Sequence, residues 1–567
     1  MRMRRAVLGI AGLTTAALTF AACSSSGGSG NNGPGPNSNS QSTSTGKTGG
    51  TVKVVEGTYP DSLDPDFSYT TQGLEATDMV YIPLLTYAAK EGTAGTQLIP
   101  GLATALPTVS SDGLTYTMTM RSGIKYSDGT PVKASDFTHA IERSIKISWG
   151  GSSFFTGYIK GAADYAAGKA QTISGIQTDD STGKITITLS QPYGAFDNLL
   201  AFESAAPIPS STPMKVLSNT PPLGDGPYKF GKIVPNGSYQ LLRNADFASF
   251  HIPGIPTGYA DEVDVSVNSN TTAEAQAVLN NQADVFDAGD TIPAQVLPQV
   301  MTQAKDRYQK TPLASTYYFF MNTRVAPFNN KAARTAVNMA MDRPALAKLS
   351  SGALTPGCNF LPPTIAGHAD GACSFGDPTQ SPSAATVAKA KQMIKDAGLA
   401  GTKVTVWSET RQPRQNFCLY LNDLLKTLGF NSTLKVVADA TYFQTIGNES
   451  LNPQIGFADW SQDFPNPSDF YLLLSKAGIQ RTNNENFGDV DDPQIESQLA
   501  TLEKDPASQL STDAAKWQAL DKYVADQSYV GVYGYQTAPK FLSNRVDFNA
   551  AIFNPVDYIL FSTVSLK

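Results

Sequence analysis

The sequence predicts an α/β protein built from two or three domains. Three observations carry that expectation. The chain has 567 residues, more than a single hydrophobic core organises. Residues 403–407, 415–428 and 433–437 read as strand, helix and strand, a βαβ unit. Residues 51–55, 114–120 and 185–189 alternate along the chain as half-buried strands do. Composition agrees: 41% hydrophobic and 16% charged residues are ordinary for a globular chain, and 47 Gly with 36 Pro point to many turns rather than a helical bundle.

Residues 1–22 stand apart from this. Arg2, Arg4 and Arg5 precede an uncharged apolar run over 6–22, short for a spanning helix of about 20 residues, so the segment reads as a secretory signal. It ends Phe20-Ala21-Ala22-Cys23, which resembles a bacterial lipobox with Phe20 where Leu is usual. That resemblance implies a lipid on Cys23; the competing reading is an ordinary signal with a stray cysteine. Residues 23–50 complete the leader. After Cys23 they contain only Ser, Gly, Asn, Thr, Pro, Gln and Lys47, so they cannot build a core and form a tether with a reach of roughly 30 Å. No later run of about 18 apolar residues follows. The expectation is a water-exposed body held at the outer face of the cell membrane.

Formal net charge is −7, and without the three leader arginines 39 basic residues face 49 acidic ones, a net of −10. No basic cluster interleaved with aromatics exists, which excludes nucleic acid as an expected partner. Cys358 and Cys373 share one Pro/Gly-rich loop, and export favours a disulfide between them over two buried thiols. Cys418 falls in an apolar helical pattern and reads as core.

Taken in order, the strand at 51–55 leads into the turn signals Tyr59-Pro60-Asp61 and Asp64-Pro65-Asp66, then an apolar stretch at 76–86 that suggests a helix covering the strand. Within 98–143, Asp112-Gly113 marks a turn. Leu114, Tyr116, Met118 and Met120 then share one strand face, and Asp128-Gly129 marks a second turn. Ser135 is placed to cap a helix presenting Phe137, Ala140, Ile141 and Ile145. Thr271 and Glu274 have capping-box spacing, opening a helix to Asn281 before a strand at 283–286. Ser383 can cap a helix striped with Val387, Ala390, Ile394 and Ala397 and ended by Gly398. The βαβ unit follows, its helix carrying Phe417, Leu421, Leu424, Leu425 and Leu428 before Gly429.

Catalytic constellations are missing from the pattern. His139, His251 and His368 have no partner at metal-ligand spacing, so no metal site is expected. Nucleophile elbows, phosphate loops and dinucleotide fingerprints are absent, and the acid pairs Asp179-Asp180 and Asp491-Asp492 read as solvated turns. Neither enzyme activity nor a cofactor is expected. The stretch that suggests function is 457–470, FADWSQDFPNPSDF. Trp460 closes a strand, and Pro465 and Pro467 stiffen the loop carrying Asp463. A fixed acid beside an aromatic wall suits an organic ammonium; by local sequence alone a solvated turn competes with that reading.

The ordered run Pro100-Gly101-Leu102-Ala103, Asp112-Gly113-Leu114-Thr115-Tyr116, Arg121-x-Gly-x-Lys125-Tyr126, Ser127-Asp128-Gly129-Thr130-Pro131 and Asp136-Phe137 with Glu142-Arg143 closely resembles the signature of the family 5 extracellular solute-binding proteins. These are the dipeptide- and oligopeptide-binding subunits of ABC importers. Gly224-Asp225-Gly226-Pro227-Tyr228 is similar to the family's Gly-Thr-Gly-Pro-Tyr with Asp225 in place of Thr, and 318–323 with Pro327-Phe328 and the helix 334–342 continue the likeness. The resemblance implies a two-lobed, hinged fold of the periplasmic-binding-protein type (class II, with an extra subdomain in the first lobe at about 89–200). It implies lobe one at 51–310, lobe two at 311–535 and a return to lobe one at 536–567. It implies a monomeric receptor that delivers short peptides to membrane permease subunits with cytoplasmic ATPases. In peptide-binding relatives the Asp at the Asp463 position holds the ligand's α-ammonium. Trp460 and Trp407 are the candidate cleft walls, competing with plain core aromatics, and Arg411 and Arg414 are the candidates for a ligand carboxylate. The competing readings are the same receptor for an oligosaccharide, a metal chelate or an opine-like compound, and an extracellular hydrolase.

Overall fold

The computed structural model describes residues 46–567 apart from 288–290, 370–372, 506–508 and 556–557. The signal, the Cys23 lipid site and all but the end of the tether lie outside the described residues.

Strand β1 (Thr51–Glu56) is central to the first sheet, flanked by parallel neighbours. A short pair follows, β2 (Leu85–Tyr87) with β3 (Leu98–Pro100). Then β4 (Thr108–Val109), β5 (Thr115–Thr119), β6 (Ile176–Asp179) and β7 (Lys184–Thr188) make a separate antiparallel sheet in the order β4-β5-β7-β6. Its inner face is the expected one, with Tyr116 and Met118 buried against Ile185 and Ile187. The chain returns with β8 (Tyr228–Val234), β9 (Ser238–Arg243), β10 (Glu262–Val267) and β11 (Val285–Asp287), giving the first sheet the order β11-β1-β10-β9-β8.

The second lobe holds the other large sheet. Its strands are β12 (Tyr308–Met321), β13 (Leu354–Pro356), β14 (Lys403–Glu409), β15 (Asn431–Val437), β16 (Ile455–Ser461) and β17 (Val530–Phe541), ordered β13-β17-β12-β16-β14-β15. The expected βαβ unit is present: β14 and β15 pair in parallel, and helix Arg414–Leu428 covers them with Phe417, Cys418, Leu421 and Leu425 fully buried, ending at Gly429 with φ 103°. β12 and β17 form the ribbon that carries the chain between lobes. At one end Phe541 packs with Phe286 of the first lobe; at the other, Phe319 packs with Tyr533 in the second-lobe core.

Several local expectations shift. The helix expected at 76–86 is Thr71–Asp78, capped by Thr70, and the run after it is a turn and irregular chain leading into β2. Met79–Leu85 is apolar because it is enclosed on all sides, and Pro83 bars helix continuation. Ser135 does not cap its helix. Helix Ala134–Lys146 starts one residue earlier, Asp136 accepts from the Lys133 backbone N–H at 2.9 Å, and Ser135 donates to Asp180. The buried face is still Phe137, Ala140, Ile141 and Ile145. Helix Thr271–Leu279 is capped by Asn270, leaving Glu274 buried instead of closing a capping box.

The recognisable motifs have structural reasons. Arg143 is fully buried and bonds Asp64 at 2.6 Å and Asp66 at 2.8 Å, so the signature helix fastens the Asp-Pro-Asp turn. Asp225 is also buried and accepts from the Ile82 backbone N–H at 3.0 Å. Beside it, a Cβ on Gly224 would lie 2.1 Å from the Val80 carbonyl oxygen, so only glycine lets these two chain segments approach.

Candidate functional site

The 457–470 segment lies where the lobes meet. Its strand, β16, ends at Ser461, and Pro467 opens a short helix, Pro467–Tyr471, as a first-turn proline should, capped by Asn466. The five residues between project toward lobe one. Phe464 is fully buried there among Phe154 and Phe202. This apolar plug positions Asp463 beside it. The Asp463 carboxylate accepts a 2.6 Å hydrogen bond from Tyr69 of lobe one, and its backbone N–H donates to Asp469 at 3.0 Å. Trp460 donates its indole N–H to the same Asp469 at 3.1 Å, and its ring meets Tyr69 edge-on at 6.2 Å.

Asp463 is enclosed by protein but keeps one side open to a cavity of about 70 Å³. Asp78 and Glu203 from lobe one, Gln462 from lobe two, and Tyr87 and Tyr558 also line it. Among its described lining residues none is Lys, Arg or His. Burial pushes Asp463 up to about 7, against the pull of the Tyr69 hydrogen bond. Asp469 is raised well above the usual carboxylate range, by burial and then by Asp463. Glu485 is raised to about 8 by burial, then by Asp463 and Asp459. Acids accumulate here without basic counterparts at the cavity wall.

The other expected ligand contacts separate. Trp407 is a core residue, 4% exposed, with Lys435 stacked 3.7 Å over its ring, and it does not line the cavity. Arg414 is buried in a polar network within lobe two: it bonds Asp459 at 2.7 Å, Glu409 at 3.3 Å and the Tyr317 hydroxyl at 3.2 Å. Those bonds occupy its guanidinium. Arg411 is half-buried and acts electrostatically on Asp287, Glu409 and Asp439, so it faces the carboxyl ends of β1 and β11. There Glu56, Glu75 and Asp287 hold oxygens within 4.8 Å of one another. Cys358 and Cys373 form a disulfide with Cα atoms 5.7 Å apart, inside the usual span, and Cys418 is a buried free thiol.

Tyr69, Asp78, Glu203 and Asp469 were not singled out from the sequence. Asp469 sits in the motif and carried a signal. The other three come from lobe one, 260 or more residues away along the chain, and only the fold brings them together.

Two lobes meeting at a cavity of mixed apolar and acidic lining, with an acid fixed where they meet, define a solute-binding fold. Residues 97–481 match the model described as Bacterial extracellular solute-binding proteins, family 5 Middle. The chain belongs to that family. It is 26% identical over 462 residues to the periplasmic oligopeptide-binding protein OppA of Escherichia coli, covering 77% of this chain and 79% of the relative. It is likewise 26% identical over 478 residues to the probable deoxycholate-binding periplasmic protein YgiS of the same organism, covering 80% and 83%. In fold it is similar to the DppA periplasmic binding protein of Helicobacter pylori in complex with the peptide STSA, with a TM-score of 0.75, 22% identity, and 92% and 98% of the two chains covered.

Proposed function

We propose that this chain is the lipid-anchored receptor of an ABC importer and that it captures short peptides by their amino end. Asp463 is the anchor for the α-ammonium, and Tyr69 and Trp460 hold that anchor in place. The observation that carries this reading is the acid at the interlobe cavity with no basic residue among the described lining. It also separates the two kinds of relative. A bile salt presents a carboxylate, which this wall would repel; a peptide presents an ammonium, which it attracts. The same repulsion disfavours opine-like acids.

One ion pair at 4 Å gives about 4 kcal/mol gross at an effective dielectric near 20, and desolvation subtracts from it. A micromolar complex needs about 8 kcal/mol, so backbone contacts and apolar surfaces supply the remainder. The cavity, about 70 Å³, is below the 300–1,000 Å³ of small-molecule sites. Admission of a peptide therefore requires the lobes to part, and the ligand's extra contacts in the closed state drive closure. Arg411 is the remaining candidate for a ligand carboxylate. The chain has no catalytic role in this reading.

Purifying the protein from the membranes of its native host, with Cys23 intact, tests both halves. Mass spectrometry of the released ligand should find short peptides, and the protein should partition with membranes until Cys23 is replaced by Ser. Recovery of organic anions instead, or a Cys23-independent distribution, would contradict the corresponding half.

A further inference from the structure

A second cavity lies between the lobes. It holds about 300 Å³, the lower end of the range for small-molecule sites, against about 70 Å³ beside Asp463. Lobe one supplies Ser148, just past helix Ala134–Lys146, and Ser152, Ser153 and Thr156 of helix Ser152–Tyr158. Lobe two supplies Gln480, Thr482 and Asn483. Among its described lining residues none is charged. A short chain of contacts links this cavity to the anchor. Tyr69, which donates to Asp463, meets the Trp149 ring edge-on at 5.3 Å, and the Trp149 carbonyl accepts from the Ser152 N–H at 3.0 Å. On the lobe-two side, Asn483 lies two residues before Glu485, which feels Asp463 electrostatically.

The polar side chains of this wall are unspent. Among the described residues, none of the seven hydrogen-bonds through its side chain to another protein group. Polar neighbours that point into the lobes do. Ser144 donates to the Ile141 carbonyl at 3.0 Å, Asn484 to Asp489 at 2.9 Å, and Asn486 to the Ser475 carbonyl at 2.9 Å. The cavity side chains therefore keep donors and acceptors for whatever fills the space. Hydroxyls and amides both donate and accept, so they suit a neutral group that does the same. A charged group would find no counter-ion here, and an aliphatic one would displace water without replacing its hydrogen bonds.

We propose that this cavity is a side-chain subsite for an uncharged amide- or hydroxyl-bearing residue (Asn, Gln, Ser or Thr) downstream of the peptide's amino end. Aliphatic and charged residues are disfavoured at that place. The inference rests on the amino-end reading of Asp463 and narrows it to a substrate class. Both lobes supply the wall, so a side chain held there bonds both only while they are together. Its contacts add to those that favour the closed state.

Calorimetry of the mature protein tests this with Ala-Ala-Ala-Ala-Ala and with versions carrying Asn, Leu or Lys singly at each position after the first. The amino end is the same throughout. At one position the Asn peptide should bind about tenfold more tightly than its Leu and Lys counterparts, the effect of one or two hydrogen bonds. The Gln480→Leu/Thr482→Val variant should pull that ratio toward one. No position that prefers Asn, or a ratio unchanged in the variant, would overturn the subsite while leaving the amino-end reading intact. Heat from none of the peptides would overturn both. The wild-type comparison needs no variant to fold.

Discussion

A carboxyl held near neutrality makes binding respond to pH. Asp463 sits at about 7 because it is buried, and the Tyr69 hydrogen bond holds it lower than burial alone would. In the proposed function the charged form grips the ligand's ammonium. Affinity for peptides should therefore rise as pH increases through about 7, then fall as the free peptide's own amine loses its proton near 7.7–8.0. Tyr69→Phe removes the hydroxyl that donates to the carboxylate. It should shift the acidic limb of a calorimetric affinity profile to higher pH. An unmoved limb would mean that Asp463 does not titrate on binding. Asp463 was legible because two prolines and a strand end fix it within one short segment. Trp407 and Arg414 were not. β14 is buried on most of its length, so its alternation does not say which face a cleft uses. The partner that claims Arg414, Asp459, lies 45 residues away on β16.

At the scale of elements, the sequence's clearest signals came from patterns whose partners are near in the chain. Helix Arg414–Leu428 and its two strands follow from 3.6-residue and two-residue spacing, because each needs only its neighbour to bury an apolar face. The segment after Asp78 misled for the opposite reason: enclosure by distant elements makes an irregular run as apolar as a buried helix. The caps at Lys133 and Asn270 were displaced because Ser135 bonds Asp180 and the Asn270 side chain takes the Ala273 N–H. Signature residues were legible as a pattern, and the fold adds what they do. Arg143 joins helix Ala134–Lys146 to the turn at Asp64 and Asp66, all three fully buried. Arg143→Ala leaves two buried acids without their cation and should cost the first lobe about 3–5 kcal/mol in denaturant unfolding. A loss under 1 kcal/mol would show that the acids are neutralised some other way.

Across the whole molecule, buried acids set the response to pH. Asp78, Asp225, Asp463, Asp521 and Glu503 are each raised to about 7, and Glu274 and Glu485 to about 8. Burial is the first cause for every one of them. Their ordinary values are 3.8 for Asp and 4.5 for Glu. Between those values and the raised ones the folded chain binds more protons than the unfolded chain, so stability falls as pH rises. The contribution is full below about pH 4 and is lost by about pH 8. The unliganded protein should therefore melt at higher temperature at pH 5 than at pH 8. The opposite order would mean that these carboxyls are ionised in the fold. In the proposed function an ammonium favours the charged form of Asp463, so the ligand's stabilising effect should be larger at pH 8 than at pH 5.

The proposed contact is an ammonium held by Asp463, and calorimetry with one tripeptide in free and N-acetylated form probes that contact alone. We expect the free peptide to bind and acetylation to weaken it at least a hundredfold, with Asp463→Asn abolishing the difference. Equal binding of the two forms by the wild type would contradict the central claim.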